Sequence, residues 1–281
     1  MDIEVKGCIL ISYPDANNRY TEMNDSKFNI AVLIDGDNAQ ASLIKELIAE
    51  VSKYGKATIR RIYGDWTSPQ MNSWKDILNE YSINPIQKFS YTSGKNSTDS
   101  SLIIDAMDIL HGKSVDGFCI VSSDSDYTGL AKRIREEGLF VMGIGRKITP
   151  IAFVNSCEIF TFTENLVEVE EIAAVPADNK KRQTRAIAEK INKKPETVKI
   201  SKAVLPKSEM IKIDKAFSIA TNEDDETFIA KIGLALRKID PSFDARTFGF
   251  KNLTQLLDSL DKYEIIKNEV NGLNHPLVKL K

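Results

Sequence analysis

The chain has 281 residues, 42% of them hydrophobic and 28% charged, which is enough for one large or two ordinary cores and excludes global disorder. It holds no apolar run of the roughly 18–20 residues that a membrane helix needs, no secretory-type start in MDIEVKGCILISYPDANNRY, and no CxxC pair or zinc-finger spacing among Cys8, Cys119, Cys157, His111 and His275. A reduced, cytoplasmic setting is expected, and the net charge of −2 conceals a partition: residues 1–167 carry 17 basic and 22 acidic side chains, whereas residues 177–207 carry 10 and 3.

In chain order, residues 1–27 read as an arm, with one extra edge strand at 8–12. FNIAVLI (28–34) is a near-continuous apolar run, as in a central parallel strand buried on both faces. Leu43, Ile44, Leu47, Ile48 and Val51 then share one helix face. ATIRRIY (57–63) is a second strand, and a polar helix follows with Trp74, Ile77 and Leu78. INPIQKF (83–89) is a third strand, weakened by Pro85. Leu102, Ile103, Ala106, Ile109 and Leu110 mark a helix, GFCIVSS (117–123) a strand, and Leu130, Ala131 and Ile134 a further helix. LFVMGIG (139–145) and EIFTF (158–162) complete the strands. Strands alternating with helices predict right-handed crossovers and a parallel sheet covered on both faces.

Residues 168–207 run from acidic through Pro/Ala to Lys-rich composition and read as a linker with a short helix at 184–192. Its basic half suits an acidic or nucleic-acid partner. Globular patterning resumes at 208–281. Ile211, Ala216, Phe217 and Ile219, then Phe228 to Leu236, then Leu253, Leu256, Leu257 and Leu260 mark three helices. EIIKNEVNGLNHPLVKL predicts a hairpin turning near Asn271 and Gly272. The sum is a winged-helix-like plan.

The chemically loaded residues gather at one kind of place. Asp35 and Asp37 follow the first strand in DGDN, and Asp124 and Asp126 follow the fourth in SSDSD. In a parallel sheet those positions share one edge, where ligands bind. Asp99 opens the third helix at the same edge. At about 100° per residue it lies within roughly 20° of that helix's apolar stripe, whereas Asp105 and Asp108 point about 100° and 160° away and read as solvated acids. Asp99, Asp124 and Asn38 also suit helix starts. A cluster of carboxylates without imidazole or thiolate selects a hard ion, Mg²⁺ or Mn²⁺, that could activate water against a phosphodiester. Ser122, Ser123 and Ser125 flank the acids and suit either a phosphate or a carboxylate partner. DGDNA departs from an aspartyl-phosphate phosphatase by placing Ala39 where Thr or Val is needed. GIGRK (143–147) lacks dinucleotide spacing, and no P-loop Gly-Lys-Ser/Thr occurs.

NIAVLIDGDN (29–38), KNSTD (95–99) and CIVSSDSDYTGLAKRIREEG (119–138) resemble the NYN domain, a branch of the PIN-like nuclease group, over roughly residues 28–166. The resemblance implies a PIN-like sheet and metal-dependent ribonuclease activity, with Asp35, Asn38, Asp99, Asp124 and Asp126 at the matching positions and Asp37 inside the motif. KIDPSFDARTFGFKNLTQLLDSLDKYEII (238–266) resembles the OST-HTH, or LOTUS, domain across about 208–281. That implies RNA binding or docking of a protein partner. Phe243, Phe248 and Phe250 are expected to anchor the loop between helices, Gly249 to permit the turn, and Arg246 and Lys251 to face phosphate.

The expectation is therefore an α/β, PIN-like (Rossmannoid) parallel sheet at 28–167, a linker at 168–207 and a small winged-helix-like α+β domain at 208–281. The expected activity is Mg²⁺- or Mn²⁺-dependent hydrolysis of RNA, endonucleolytic rather than exonucleolytic. Asp35, Asp99, Asp124 and Asp126 are the expected metal ligands, with Asn38 completing the catalytic set. Asp37, Lys95, Ser122, Ser123, Arg246 and Lys251 are the expected substrate contacts. The rival reading is a non-catalytic RNA-binding regulator on a nuclease-like fold.

Overall fold

A computed structural model describes residues 28–89, 97–166, 205–221, 226–270 and 273–281. The chain divides into two compact units, Met1–Leu166 and Val167–Lys281. The expected arm, its edge strand at 8–12 and the basic linker with its helix at 184–192 lie outside the described residues.

In the first unit, strands and helices alternate as β1 (Asn29–Asp35), α1 (Ile44–Ser52), β2 (Lys56–Gly64), α2 (Asn72–Glu80), β3 (Asn84–Gln87), α3 (Ser97–Gly112), β4 (Gly117–Val121), α4 (Thr128–Glu136), β5 (Phe140–Gly145), α5 (Ile151–Ser156) and β6 (Ile159–Phe162). The sheet order is β3-β2-β1-β4-β5-β6, and every neighbouring pair is parallel. All six strands stand where the apolar runs place them. β3 is cut to four residues and lies at the sheet edge, where the missing N–H of Pro85 is tolerated. The six-residue α5 was not anticipated; under two turns, it is too short to show a helical period.

The period of two in β1 decides the layering. Ile30, Val32 and Ile34 face one layer with Leu47 and Val51 of α1 and Trp74 of α2. Ala31 and Leu33 face the other, with Leu102 and Ala106 of α3, Ala131 and Ile134 of α4 and Phe153 of α5. All five β1 residues are fully buried. Each large aliphatic side chain so enclosed contributes about 1.5–3 kcal/mol relative to exposure. β1 pairs with both β2 and β4, so the winding reverses between β1 and β4, and the carboxyl ends of these two strands border a crevice.

The second unit packs α6 (Lys207–Ala220), α7 (Ile229–Ile239) and α8 (Leu253–Asp258) against a three-stranded sheet in the order β7-β11-β8. Here β7 is Glu226–Phe228, β8 is Tyr263–Ile266 and β11 is Leu277–Leu280, with β11 antiparallel to both neighbours. Two-residue strands β9 (Glu269–Val270) and β10 (Leu273–Asn274) extend the hairpin, whose turn at Asn271 and Gly272 lies outside the described residues. Ile213, Phe217, Ile232, Leu236, Leu256, Leu257 and Val278 form its core. The second helix begins one residue later than its apolar pattern suggests: Phe228 closes β7 and precedes α7 in an extended conformation. Phe243, Phe248 and Phe250 pack on that core, with the rings of Phe243 and Phe248 5.8 Å apart. Gly249 takes the left-handed conformation at φ +80°, which ends the 3₁₀ turn Ala245–Phe248 at little cost only for glycine.

Candidate functional site

The carboxyl ends of β1 and β4 deliver the acids that the sequence places there. β1 runs directly into Asp35, which is fully buried. Behind it the chain turns sharply, with the Ala39 N–H bonded to the Asp35 carbonyl at 2.8 Å. Gly36 makes this turn fit: a Cβ there would stand 2.7 Å from both Met71 Cε and the Tyr63 carbonyl oxygen. The Asp35 carboxylate is held on both oxygens. Oδ1 accepts the Asp37 backbone N–H at 3.2 Å, and Oδ2 accepts Asn38 Nδ2 at 2.7 Å and Ser122 Oγ at 2.9 Å. Burial raises the Asp35 carboxyl above its ordinary value; the Asn38 and Ser122 donors oppose this, and the negative charges of Asp99 and Asp37 add to it.

Ser122 joins the two strand ends. While its hydroxyl donates to Asp35, its oxygen accepts the Asp124 N–H at 3.0 Å. Asp124 then caps the 3₁₀ turn Ser125–Tyr127 by accepting the Asp126 N–H at 3.0 Å on Oδ1. The turn puts Tyr127 inward, fully buried, where its hydroxyl donates to Asp99 Oδ1 at 2.7 Å across to the first turn of α3. Burial raises the Asp99 carboxyl; the Tyr127 hydroxyl opposes, and the charges of Asp124, Asp126 and Asp37 reinforce the rise.

The outcome is a compact carboxylate group. One oxygen each from Asp99, Asp124 and Asp126 lies within 4.8 Å of the others; Asp99 and Asp124 are half-buried and Asp126 is exposed. These donors fit a small divalent cation: all are hard oxygens, from two separate elements, with no sulfur or nitrogen in the set. Asp35 is not a member of that group and sits beside it as a buried, hydrogen-bonded acid. Asn38 is bonded to Asp35, and Asp37 is exposed at the turn. Ser122 is a carboxylate partner, whereas Ser123 Oγ accepts the Arg146 N–H at 2.9 Å. Lys95 lies outside the described residues. In the second unit, Arg246 is bound to Asp244 through both Nε and Nη2, the latter at 2.6 Å, and Lys251 is exposed.

Two features escaped sequence reasoning. Tyr127 follows Asp126 in the sequence without a pattern that assigns it a role, and only the fold shows it buried with its hydroxyl on Asp99. Asp105, read as solvated, is bound to Arg61 and to the buried hydroxyl of Tyr63, both on β2. A helical wheel shows only α3's own stripe; it cannot show that a basic and a phenolic side chain on β2 reach its flank. The same bond, together with burial, raises the Tyr63 hydroxyl far above its usual range, burial being the larger cause.

A family model for the NYN domain matches residues 29–168, and one for the OST-HTH/LOTUS domain matches residues 205–275. The chain joins an NYN domain to an OST-HTH/LOTUS domain. The acid group lies wholly in the NYN domain, a PIN-like nuclease fold, and the OST-HTH/LOTUS match lies within the second unit. No curated protein matches the chain significantly. Among solved structures, a protein of unknown function from Vibrio parahaemolyticus is 19% identical with a TM-score of 0.42, covering 49% of this chain and 94% of its own. The MurG protein of Acinetobacter baumannii is 9% identical with a TM-score of 0.33, covering 48% and 40%. A group II chitinase catalytic domain of Ostrinia furnacalis is 9% identical with a TM-score of 0.20, covering 49% and 50%. Among the described residues, no helix is long and apolar enough to cross a membrane.

Proposed function

We propose that the chain is a Mg²⁺- or Mn²⁺-dependent ribonuclease whose OST-HTH/LOTUS domain presents RNA to the NYN domain, and that it acts endonucleolytically. The observation that carries this is the convergence of Asp99, Asp124 and Asp126 within 4.8 Å at the reversal point of a PIN-like sheet. Three carboxylates at that spacing repel one another, and a divalent cation between them removes the repulsion. Such an ion supplies a nucleophilic water at neutral pH and polarises the scissile phosphate.

The protein's own part is placement. Tyr127 holds Asp99 in position from below, and the 3₁₀ turn fixes Asp124 against Asp126. Asp35 adds negative charge from the buried layer and, through Asn38 and Ser122, locks the two strand ends together. The two-residue separation of Asp124 and Asp126 on a turn allows both to reach one ion. A weakly binding second domain raises the local concentration of RNA without tight binding by either part.

The test is cleavage of single-stranded and structured RNA by the full chain with Mn²⁺ or Mg²⁺. Wild type is expected to cut internally and Asp124→Asn to lose at least about a hundredfold in rate, as when a principal electrostatic contributor is removed. Equal survival of substrate with wild type and variant would refute catalysis and favour an RNA-binding regulator. Metal titration by calorimetry separates the two readings independently.

A further inference from the structure

An acid group that handles RNA also repels it, so a cation must hold the phosphate next to the one under attack. The described part of the NYN domain contains five arginines. Four are spent on structure. Arg60 donates to the carbonyls of Ala57 and Tyr81, Arg61 is bound to Asp105, Arg133 pairs with Glu137, and Arg135 donates to the carbonyls of Asn155 and Ser156. Arg146 is exposed, and among the described residues its guanidinium has no partner.

Its place in the fold is fixed by its backbone. Arg146 follows Gly145, the last residue of β5, at the same sheet edge as the acids. Its N–H donates to Ser123 Oγ, next to Asp124. Its carbonyl accepts both the N–H of Thr149 at 2.9 Å and the Thr149 hydroxyl at 2.6 Å, which closes the loop on a buried threonine. The next residue is anchored as well, the Lys147 N–H donating to both Glu164 carboxylate oxygens at 3.0 and 3.1 Å. Arg146 thus starts from a rigid base. It lines a shallow, largely apolar cleft whose other polar residues include Asn38, Gln40, Ser123 and Thr163, with no acid among its lining. The side chains of Asn38 and Ser122 are both bonded to the Asp35 carboxylate, so the cleft adjoins the acid site. Beyond Arg146 the loop displays Ile148 and Ile151, 71% and 67% exposed, as apolar surface for a sugar or base.

We propose that this cleft is the subsite for the RNA phosphate adjoining the scissile one, and that Arg146 is its phosphate-binding residue. This rests on the reading of Asp99, Asp124 and Asp126 as the cleavage site. A planar guanidinium binds a phosphodiester through two parallel hydrogen bonds, which sets the backbone's direction as well as its position.

The experiment compares full-length wild type, Arg146→Gln and Arg146→Lys. Binding of a short fluorescent single-stranded RNA is followed by anisotropy in EDTA at several salt concentrations, and cleavage kinetics are measured with Mn²⁺. Arg146→Gln is expected to weaken binding about tenfold, in line with loss of a hydrogen bond to a charged group. Its salt slope should fall by about 0.7, the value for one single-strand phosphate. KM should rise with little change in kcat, and Mn²⁺ binding by calorimetry should be unchanged. Arg146→Lys should keep the salt slope and recover part of the affinity. If wild type cleaves and Arg146→Gln matches it in affinity, slope and KM, the subsite is overturned and the nuclease reading survives. If wild type does not cleave but Arg146→Gln still loses affinity and slope, the nuclease reading fails and the phosphate site stands. Absence of RNA binding by wild type in this assay overturns the subsite.

Discussion

Replacing Ser122 with alanine tests whether the buried hydroxyl binds the two halves of the site together. Ser122 is 2% exposed, and its one oxygen serves both Asp35 Oδ2 and the Asp124 N–H. A hydrogen bond to a charged group contributes about 1.5–3 kcal/mol, and the Asp124 amide loses its partner too. A loss of about 2–3 kcal/mol at pH 7 is therefore expected, a large share of the roughly 5–15 kcal/mol of a typical domain. Both tryptophans, Trp66 and Trp74, belong to the NYN domain, so urea unfolding followed by tryptophan fluorescence reports that domain alone. pH gives the sharper signature. Burial already lifts the Asp35 carboxyl above 3.8. An acid raised on folding favours the folded state below its ordinary value, and that contribution is lost as pH climbs through the folded value. Removing Ser122 takes away a donor that favours the ionised form, so the folded value rises further. The gap between variant and wild type should be smaller near pH 4, where chiefly the lost Asp124 amide contact remains, and full at pH 7. Ser123→Ala, which loses only the contact to the Arg146 amide, should show a smaller, pH-independent loss. A Ser122→Ala loss under about 0.5 kcal/mol at pH 7, or one equal at both pH values, refutes the reasoning.

Three further outcomes follow from the same geometry. Tyr127→Phe removes the hydroxyl on Asp99, and Mn²⁺ affinity by calorimetry should drop about 10–100-fold, the usual cost of losing a group that orients a ligand; an unchanged affinity would separate Asp99 from the metal group. Asp105→Asn should cost about 1–3 kcal/mol in the same fluorescence-detected urea unfolding, because the buried Tyr63 hydroxyl and Arg61 lose a charged acceptor, whereas a solvated acid would cost almost nothing. Cys119 and Cys157 are buried, and burial pushes the Cys157 thiol up to about 12 and Cys119 higher still; both should resist a thiol reagent at pH 8 in the native chain and react promptly in urea.

What the sequence disclosed and what it withheld divide along a physical line. Apolar runs bounded by polar turns specify parallel strands locally, so all six strands of the NYN domain stand where those runs lie. The strand-end rule then places Asp35, Asp99, Asp124 and Asp126 at one edge without knowledge of any distance. Their depth was not legible. Depth depends on which strand end is covered by a neighbouring turn, and here the turn Asp35–Ala39 and the β4 exit close over Asp35 while leaving Asp126 exposed. Pairing was not legible either. Whether Asp105 meets water or Arg61 is decided by the register of β2 against a helix about 40 residues later, and no local pattern carries that information. The same holds for Arg146: GIGRK has no dinucleotide or P-loop spacing to give it a role, and the Ser123 oxygen that fixes it is 23 residues away. The local code thus places the acids at one edge, while long-range contacts decide the depth and the partners of each. Asp99 and Asp124, half-buried, and Asp126, exposed, bring one oxygen each within 4.8 Å of the others. Asp35, equally acidic in the sequence, is fully buried and accepts three donors, of which Ser122 comes from the end of β4.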